Sequence, residues 1–392
     1  MISVQEAKKL IEESITALPP LQIPLAEASG FILAEDVYAP VDLPPFPQAG
    51  MDGYAFAYQQ DIGFYTIVGE IAAGADQVPA LNPGEAVRIF TGAPVPTGAD
   101  TVVMQEKVKV DANRMVLMDP DLQRGQHVRP QGSDLCKGSL AMVAGQKLTP
   151  AGIGFLAAMG FLHISVYPAP RVSIVVTGDE LQMPGQPLSY GQIYEANSYS
   201  LRAALKQMGI HSTLIHCVGD DLTRLQSVIH EALKLTDLVL ITGGVSVGAY
   251  DFTPDACLQN GVKPVFHKIK QKPGKPLFFG MKGHQPVFGL PGNPSSVLTC
   301  FYQYVYPAIG RMMKQTFALH STTAQIDQSY HKPAGITHFL RASLDGDQVN
   351  VRKGQESYRL QSFMSADALI VLPESCTSVQ AGEWVTVEKI PV

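Results

Sequence analysis

Apolar residues at Val4, Ala7, Leu10, Ile11 and Ile15 recur on one helical face, and Ser3 to Glu6 has the spacing of a capping box. The pattern predicts a first helix running to about Thr16, stopped by Pro19-Pro20. After a short piece capped near Gly30 comes a strand-like AEDVYA, then the proline-dense stretch Pro40 to Ala55. Its four prolines contribute no ladder donors, so it reads as a rigid crossing between domains and not as a core strand. From Ala55 to about Asp134 the apolar runs are short and cut by Gly/Pro turns (FYTIVGEI, EAVRIF, DTVVMQEKVKV, NRMVLM), the mark of a small β-rich domain. Thr149-Pro150 opens another helix, through Ile153, Leu156 and Ala157 to Gly160, and Tyr167 to Arg171 reads as a linker.

The middle third alternates. VSIVV leads to TGDE, a helix spans Asn197 to Met208, STLIHCV leads to Gly219-Asp220-Asp221, and a further helix precedes Leu238 to Ile241, an unbroken apolar run suited to a strand buried on both faces. PLFFG and PVFGL follow, and the second runs into Pro291-Gly292-Asn293-Pro294 ahead of a helix from Ser295 to about Met312. Such alternation predicts a mostly parallel sheet covered on both faces, with ligands at the carboxyl ends of its strands. The last 80 residues or so return to short strands around TTAQI, THFLRASL, QVNVRK, ALIVLP and WVTVEK, a second small β domain.

Composition narrows the class. The 392 residues are 46% hydrophobic and 16% charged, enough for several domains with a sizeable core. A net charge of −6 without a long Lys/Arg run excludes a nucleic-acid surface as the main business. No apolar run reaches the ~18 residues of a membrane span and the first residues lack a signal peptide's apolar core, so a cytoplasmic protein is expected. The five cysteines are scattered without a C-x-x-C pair, and buried structural thiols are expected rather than disulfides or a zinc site. His211 and His216 fall in a strand-like run and are expected in core or edge roles.

The candidate chemistry gathers around Leu238 to Asp251. A strand ending in Gly243-Gly244 can offer backbone N–H groups to an anion, although the same glycines suit a plain tight turn. Glu180, Asp220 and Asp251 follow three different strands of one expected sheet. Any one of them alone would serve as a helix cap, whereas together they suit Mg²⁺, which takes carboxylates, water and phosphate oxygens. Asp221 is expected to cap the following helix. Lys272-Pro273-Gly274-Lys275-Pro276 brings two lysines on a restricted loop, readable as an anion-binding element or as a solvated basic turn, and Arg341 carries the same ambiguity.

MDGYA, FTGAPVPTGAD, TGDEL, GGVSVGAYD, KPGKP and LPGNP, in this order, resemble the MoeA family of molybdopterin molybdenumtransferases, related to the gephyrin E domain, over essentially the whole chain. The resemblance implies a discontinuous domain I (1–45 and 137–168), an inserted β-rich domain II (46–136), an α/β molybdopterin-binding domain III (169–313) and a β-barrel-like domain IV (314–392). It also implies a homodimer with shared active sites, in which Asp52, Thr91 and Asp134 of one subunit meet the third domain of the other. The implied reaction takes adenylylated molybdopterin and molybdate to molybdenum cofactor and AMP with Mg²⁺. Gly243, Gly244 and Ser246 would hold phosphate, Asp220 and Asp251 the metal, and Glu180 would join the catalytic set. Lys272, Lys275, Ser296, Arg341 and Ser362 match positions around a molybdate-sized oxyanion, and Pro291 and Pro294 are further expected substrate-binding residues. The adenylyltransferase that makes the substrate is an expected partner. Relatives usually read SAMDGYA where this chain has Ala49-Gly50-Met51-Asp52-Gly53, so one hydroxyl is missing. Competing readings are a molybdopterin adenylyltransferase, a nucleotide pyrophosphatase, and a gephyrin-like scaffold without catalysis.

Overall fold

A computed structural model describes residues 1–245 and 252–391. It divides into two compact units, Met1–Leu21 with Tyr167–Val392, and Gln22–Val166.

In the first unit, five of the six strands of the main sheet are those that the sequence pattern predicts, and Lys263–His267 is the addition. The strand order is Thr213–Val218, Val172–Thr177, Leu238–Thr242, Gln285–Leu290, Phe278–Lys282 and Lys263–His267; the first four are parallel and the last two antiparallel. Alternate residues feed the two faces. Ile174, Leu240 and Phe288 belong to one core, while Val175, Ile241 and Val287 belong to the other, under the helix Leu222–Leu235. Asp221 caps that helix as expected, its side chain accepting from the Arg224 N–H at 2.9 Å. Thr213–Val218 lies at the sheet edge, which explains why Cys217 is exposed. Cys136 is exposed as well, and of the five thiols expected in cores only Cys257 and Cys300 are buried there.

The helix expected from Ser295 to Met312 forms in three pieces, Pro294–Cys300, a π-helical turn Phe301–Val305, and Tyr306–Met312. Pro307 supplies the reason, since it lacks the N–H a continuous helix would use there. The opening helix, Val4–Ser14, is capped by Ser3 and buries Val4, Ala7 and Ile11 in the core that also holds Val172 and Phe301. Its apolar face was legible, but its partner was not, and it packs with this unit, whereas the family resemblance implies a domain of residues 1–45 with 137–168.

C-terminally, the strands Thr337–Asp345, Gln348–Val351, His320–Ile326, Trp384–Lys389 and Ala368–Leu372 pair in that order, and the last pairs back with the first. The ring is a closed barrel around Ile326, Leu340, Ile370 and Val387.

The second unit holds a six-stranded sheet in which Gly53–Phe56 lies between Glu85–Ile89 and Thr101–Met104. This corrects the reading of Pro40 to Ala55 as a crossing throughout. The prolines all precede Gln48, and the chain re-enters a sheet interior once the missing donors are behind it. Residues 25–39 and 148–166 share a separate core around Leu33, Leu156 and Val166. Thr149 caps the helix Pro150–Ala158. Among the described residues no helix is long and apolar enough to cross a membrane.

Candidate active site

The carboxyl ends of the parallel strands open into a cavity of about 1040 Å³, lined by Glu180, Asp220, Gly243, Gly244, Lys272, Lys275, Pro291, Pro294 and Ser296 among others. The sequence-predicted residues of three strand ends and two loops thus come together. Ser246 and Asp251 lie outside the described residues.

Thr177 and Val218 are register partners at the ends of adjacent parallel strands, so Glu180 and Asp220 leave the sheet side by side. The Thr177 hydroxyl donates to Asp220 Oδ1 at 2.8 Å, and the Asp220 N–H donates to Asp179 Oδ1 at 3.1 Å. Thr177 and Asp179 were overlooked as supports, although both sit within the TGDE motif. Gly243 and Gly244 have φ of +93° and +60°. A Cβ at Gly243 would lie 2.4 Å from the Thr177 carbonyl oxygen, so the turn is wedged against the neighbouring strand. The N–H of Gly243 is not bare, because it donates to the Leu290 carbonyl at 3.2 Å. The expected cradle therefore has one donor fewer.

Opposite in charge, Lys272 and Lys275 flank Pro273-Gly274. Gln271 and Lys272 pair in parallel with Thr337 and His338, which ties this loop to the barrel. The barrel also supplies a wall that the sequence did not reveal. Gln355, Ser357 and Tyr358 line the cavity, and Ser357 is held by Asn293 Nδ2, 2.9 Å from its hydroxyl. Asn197 lines it as well, donating to the Gly292 carbonyl at 2.8 Å.

Arg341 and Ser362 lie behind this wall and are not among the cavity-lining residues. Arg341 is fully buried. Its Nε donates to Ser362 Oγ at 2.7 Å and its Nη2 to the carbonyls of Gly354 (3.0 Å) and Glu356 (3.3 Å), so it carries the loop that bears Gln355 and Ser357. Burial pulls its pKa down to about 10, still cationic near neutrality. Among the described residues Arg341 Nη1 has no hydrogen-bond partner. A buried cation with a spare donor suits an oxyanion nearby.

In the other unit, Asp52 and Thr91 meet. The Thr91 hydroxyl and N–H donate to Asp52 Oδ1 at 2.6 and 2.8 Å, and these bonds hold the carboxyl below its usual range. Asp134 is exposed on a loop whose Asp134 N–H donates to the Leu43 carbonyl at 2.9 Å.

A parallel-sheet cavity with acidic and basic walls, joined to a closed barrel, defines a multidomain α/β protein with an open cavity at its strand ends. Family models for the MoeA N-terminal region (domain I and II), a probable molybdopterin binding domain and the MoeA C-terminal region (domain IV) match residues 2–160, 173–311 and 323–390. Molybdopterin molybdenumtransferase 2 of Mycobacterium tuberculosis is 34% identical, with 97% of this chain and 98% of that one covered. The molybdopterin molybdenumtransferase of Haemophilus influenzae is 33% identical, with 99% and 98% covered. A crystal structure of the molybdopterin biosynthesis MoeA protein from Pyrococcus horikosii superposes with a TM-score of 0.83 at 30% identity, covering 99% of both chains. The chain belongs to the MoeA family of molybdopterin molybdenumtransferases, enzymes of molybdenum cofactor biosynthesis.

Proposed function

We propose that this protein inserts molybdate into adenylylated molybdopterin, releasing AMP and molybdenum cofactor, in a Mg²⁺-dependent reaction in the cytoplasm. The observation that carries the reading is the single cavity in which Glu180 and Asp220 face a space shared with Lys272 and Lys275. Both substrates are anions, and two ammonium groups offset their mutual repulsion. Gly243 and Gly244, with Ser246 beyond the described turn, would approach the phosphates through backbone. Pro291, Pro294 and Ser296 would border the oxyanion, with Arg341 and Ser362 behind it.

The Asp220 carboxylate, which borders the cavity with its Oδ1 held by Thr177, suits Mg²⁺. Among the described residues no three or more His, Cys, Asp and Glu side chains group as a metal cage. Mg²⁺ is typically held by one or two carboxylates plus water and substrate phosphates, which Asp220 and Asp251 would provide. When bound, Mg²⁺ withdraws charge from the phosphoanhydride and eases departure of AMP. Thr177 fixes Asp220 Oδ1 for this task. The active unit is a homodimer, with Asp52, Thr91 and Asp134 of one subunit completing the site of the other, and the molybdopterin adenylyltransferase delivers the substrate.

The test is AMP release from adenylylated molybdopterin, with and without molybdate and Mg²⁺, in the wild type and in Asp220→Asn. Release that needs both ions and collapses in the variant supports insertion. Release without molybdate indicates a pyrophosphatase, ATP-dependent adenylylation of molybdopterin indicates an adenylyltransferase, and tight binding without turnover indicates a scaffold.

A further inference from the structure

Gln271 precedes the two-lysine loop and is 2% exposed. Its Nε2 donates to the Pro273 carbonyl at 2.9 Å and to the Gly274 carbonyl at 3.3 Å. The Cys300 thiol also lies toward the Gly274 carbonyl, at 3.7 Å. The other end of the Gln271 amide is occupied as well, because the Tyr304 hydroxyl donates to its Oε1. A Cβ at Gly274 would lie 2.5 Å from Cys300 Sγ and 2.7 Å from Gln271 Nε2, so the loop is pressed onto these two side chains. Tyr304 is wholly buried, and burial raises its pKa well above 10, which keeps the phenol a donor. It is presented by the π-helical turn Phe301–Val305. Such turns shift the register of the side chains they carry and recur at functional sites.

A loop that receives an oxyanion must show it positive groups. Carbonyl oxygens left facing the cavity would repel the anion and would attract the Lys272 and Lys275 ammonium groups to themselves. We propose that Gln271, steadied by Tyr304, is a positioning residue that draws the Pro273 and Gly274 carbonyls into the core and so leaves Lys272 and Lys275 for the oxyanion. This rests on the reading of the cavity as a molybdate site. Gln271 and Tyr304 touch no substrate in this scheme; they act through the loop.

The test measures molybdate Kd by titration calorimetry on the full chain, with sulfate as the comparison anion, together with kcat and KM for molybdate. The variants are Gln271→Leu, Tyr304→Phe, their combination, and Lys272→Ala. Losing the donors of Gln271 should raise molybdate Kd and KM about tenfold while kcat at saturating molybdate stays within about twofold. Tyr304→Phe, which removes one hydroxyl and leaves the fold's packing in place, should raise them about threefold. The combination should be no worse than Gln271→Leu alone, because Tyr304 acts through Gln271. Kd raised in Lys272→Ala but unchanged in Gln271→Leu and Tyr304→Phe overturns the positioning role and leaves the molybdate site standing. Kd unchanged in Lys272→Ala rejects the molybdate site itself. A fall in kcat with Kd and KM unchanged also overturns the proposal, since that is the mark of a merely structural pair.

Discussion

Replacing Gly243 by alanine should be among the most damaging single-methyl changes in this chain. Two costs add. At φ +93° a side chain meets its own backbone, which costs about 1–2 kcal/mol. The new Cβ would also lie 2.4 Å from the Thr177 carbonyl oxygen, and Thr177 cannot retreat freely because its strand is paired on both sides. Overpacking of that kind costs about 1–3 kcal/mol more, for a total of roughly 2–5 kcal/mol. Gly209→Ala is the control. It has φ +79° and nothing within 4 Å of its Cβ, so it should cost only the backbone part, about 1–2 kcal/mol. The assay is the urea midpoint followed by far-UV circular dichroism, with AMP release measured in parallel. Activity should fall further than stability in Gly243→Ala, because pushing Thr177 displaces the hydroxyl that holds Asp220. Equal midpoints for the two variants would refute the close-approach argument.

Three further outcomes are expected. Thr177→Val removes the donor to Asp220 Oδ1 and should raise the Mg²⁺ concentration for half-maximal AMP release by roughly threefold to tenfold, the equivalent of one hydrogen bond; an unchanged Mg²⁺ titration argues against Asp220 as a ligand. Ser362→Ala leaves Arg341 Nε without its 2.7 Å partner in a fully buried site and should destabilise by about 1–3 kcal/mol, read as a lower urea midpoint. His338 is 2% exposed and its pKa is lowered to about 4 by burial and by Lys272 and Lys332. Because the folded value lies below the unfolded one of 6.5, the neutral form is favoured by folding, and that stability is complete above about pH 6.5 and lost progressively as pH falls to about 4. The loss is of the order of 3 kcal/mol, and His338→Phe should flatten the pH dependence of the urea midpoint across that window.

Much of the α/β unit was legible in the chain. The apolar run Leu238–Ile241 has no polar face, which suits a strand covered on both sides, and its neighbours carry the glycines and capping residues that set each turn. Parallel strands then bring Glu180 and Asp220 to one edge without any further information. Local pattern also placed Ser3, Thr149 and Asp221 at helix starts, because a cap is a bond between residues three apart.

What the tertiary structure decided involves contacts between residues distant in sequence. The face of Val4–Ser14 said that the helix would be buried, and only packing showed it against the core of Val172 and Phe301. Gly53–Phe56 looked like the tail of a proline crossing until its two partner strands claimed it. The barrel closes because Ala368–Leu372 returns to Thr337–Asp345, and Arg341 on the latter strand, behind the cavity's wall, holds the loop whose Gln355 and Ser357 line it. Gln271 gives no local sign of its role, since its partners Tyr304 and Cys300 lie about thirty residues away in sequence and reach it only through the broken helix. Periodicity reports which side of an element is apolar; it carries no information about which other element covers that side.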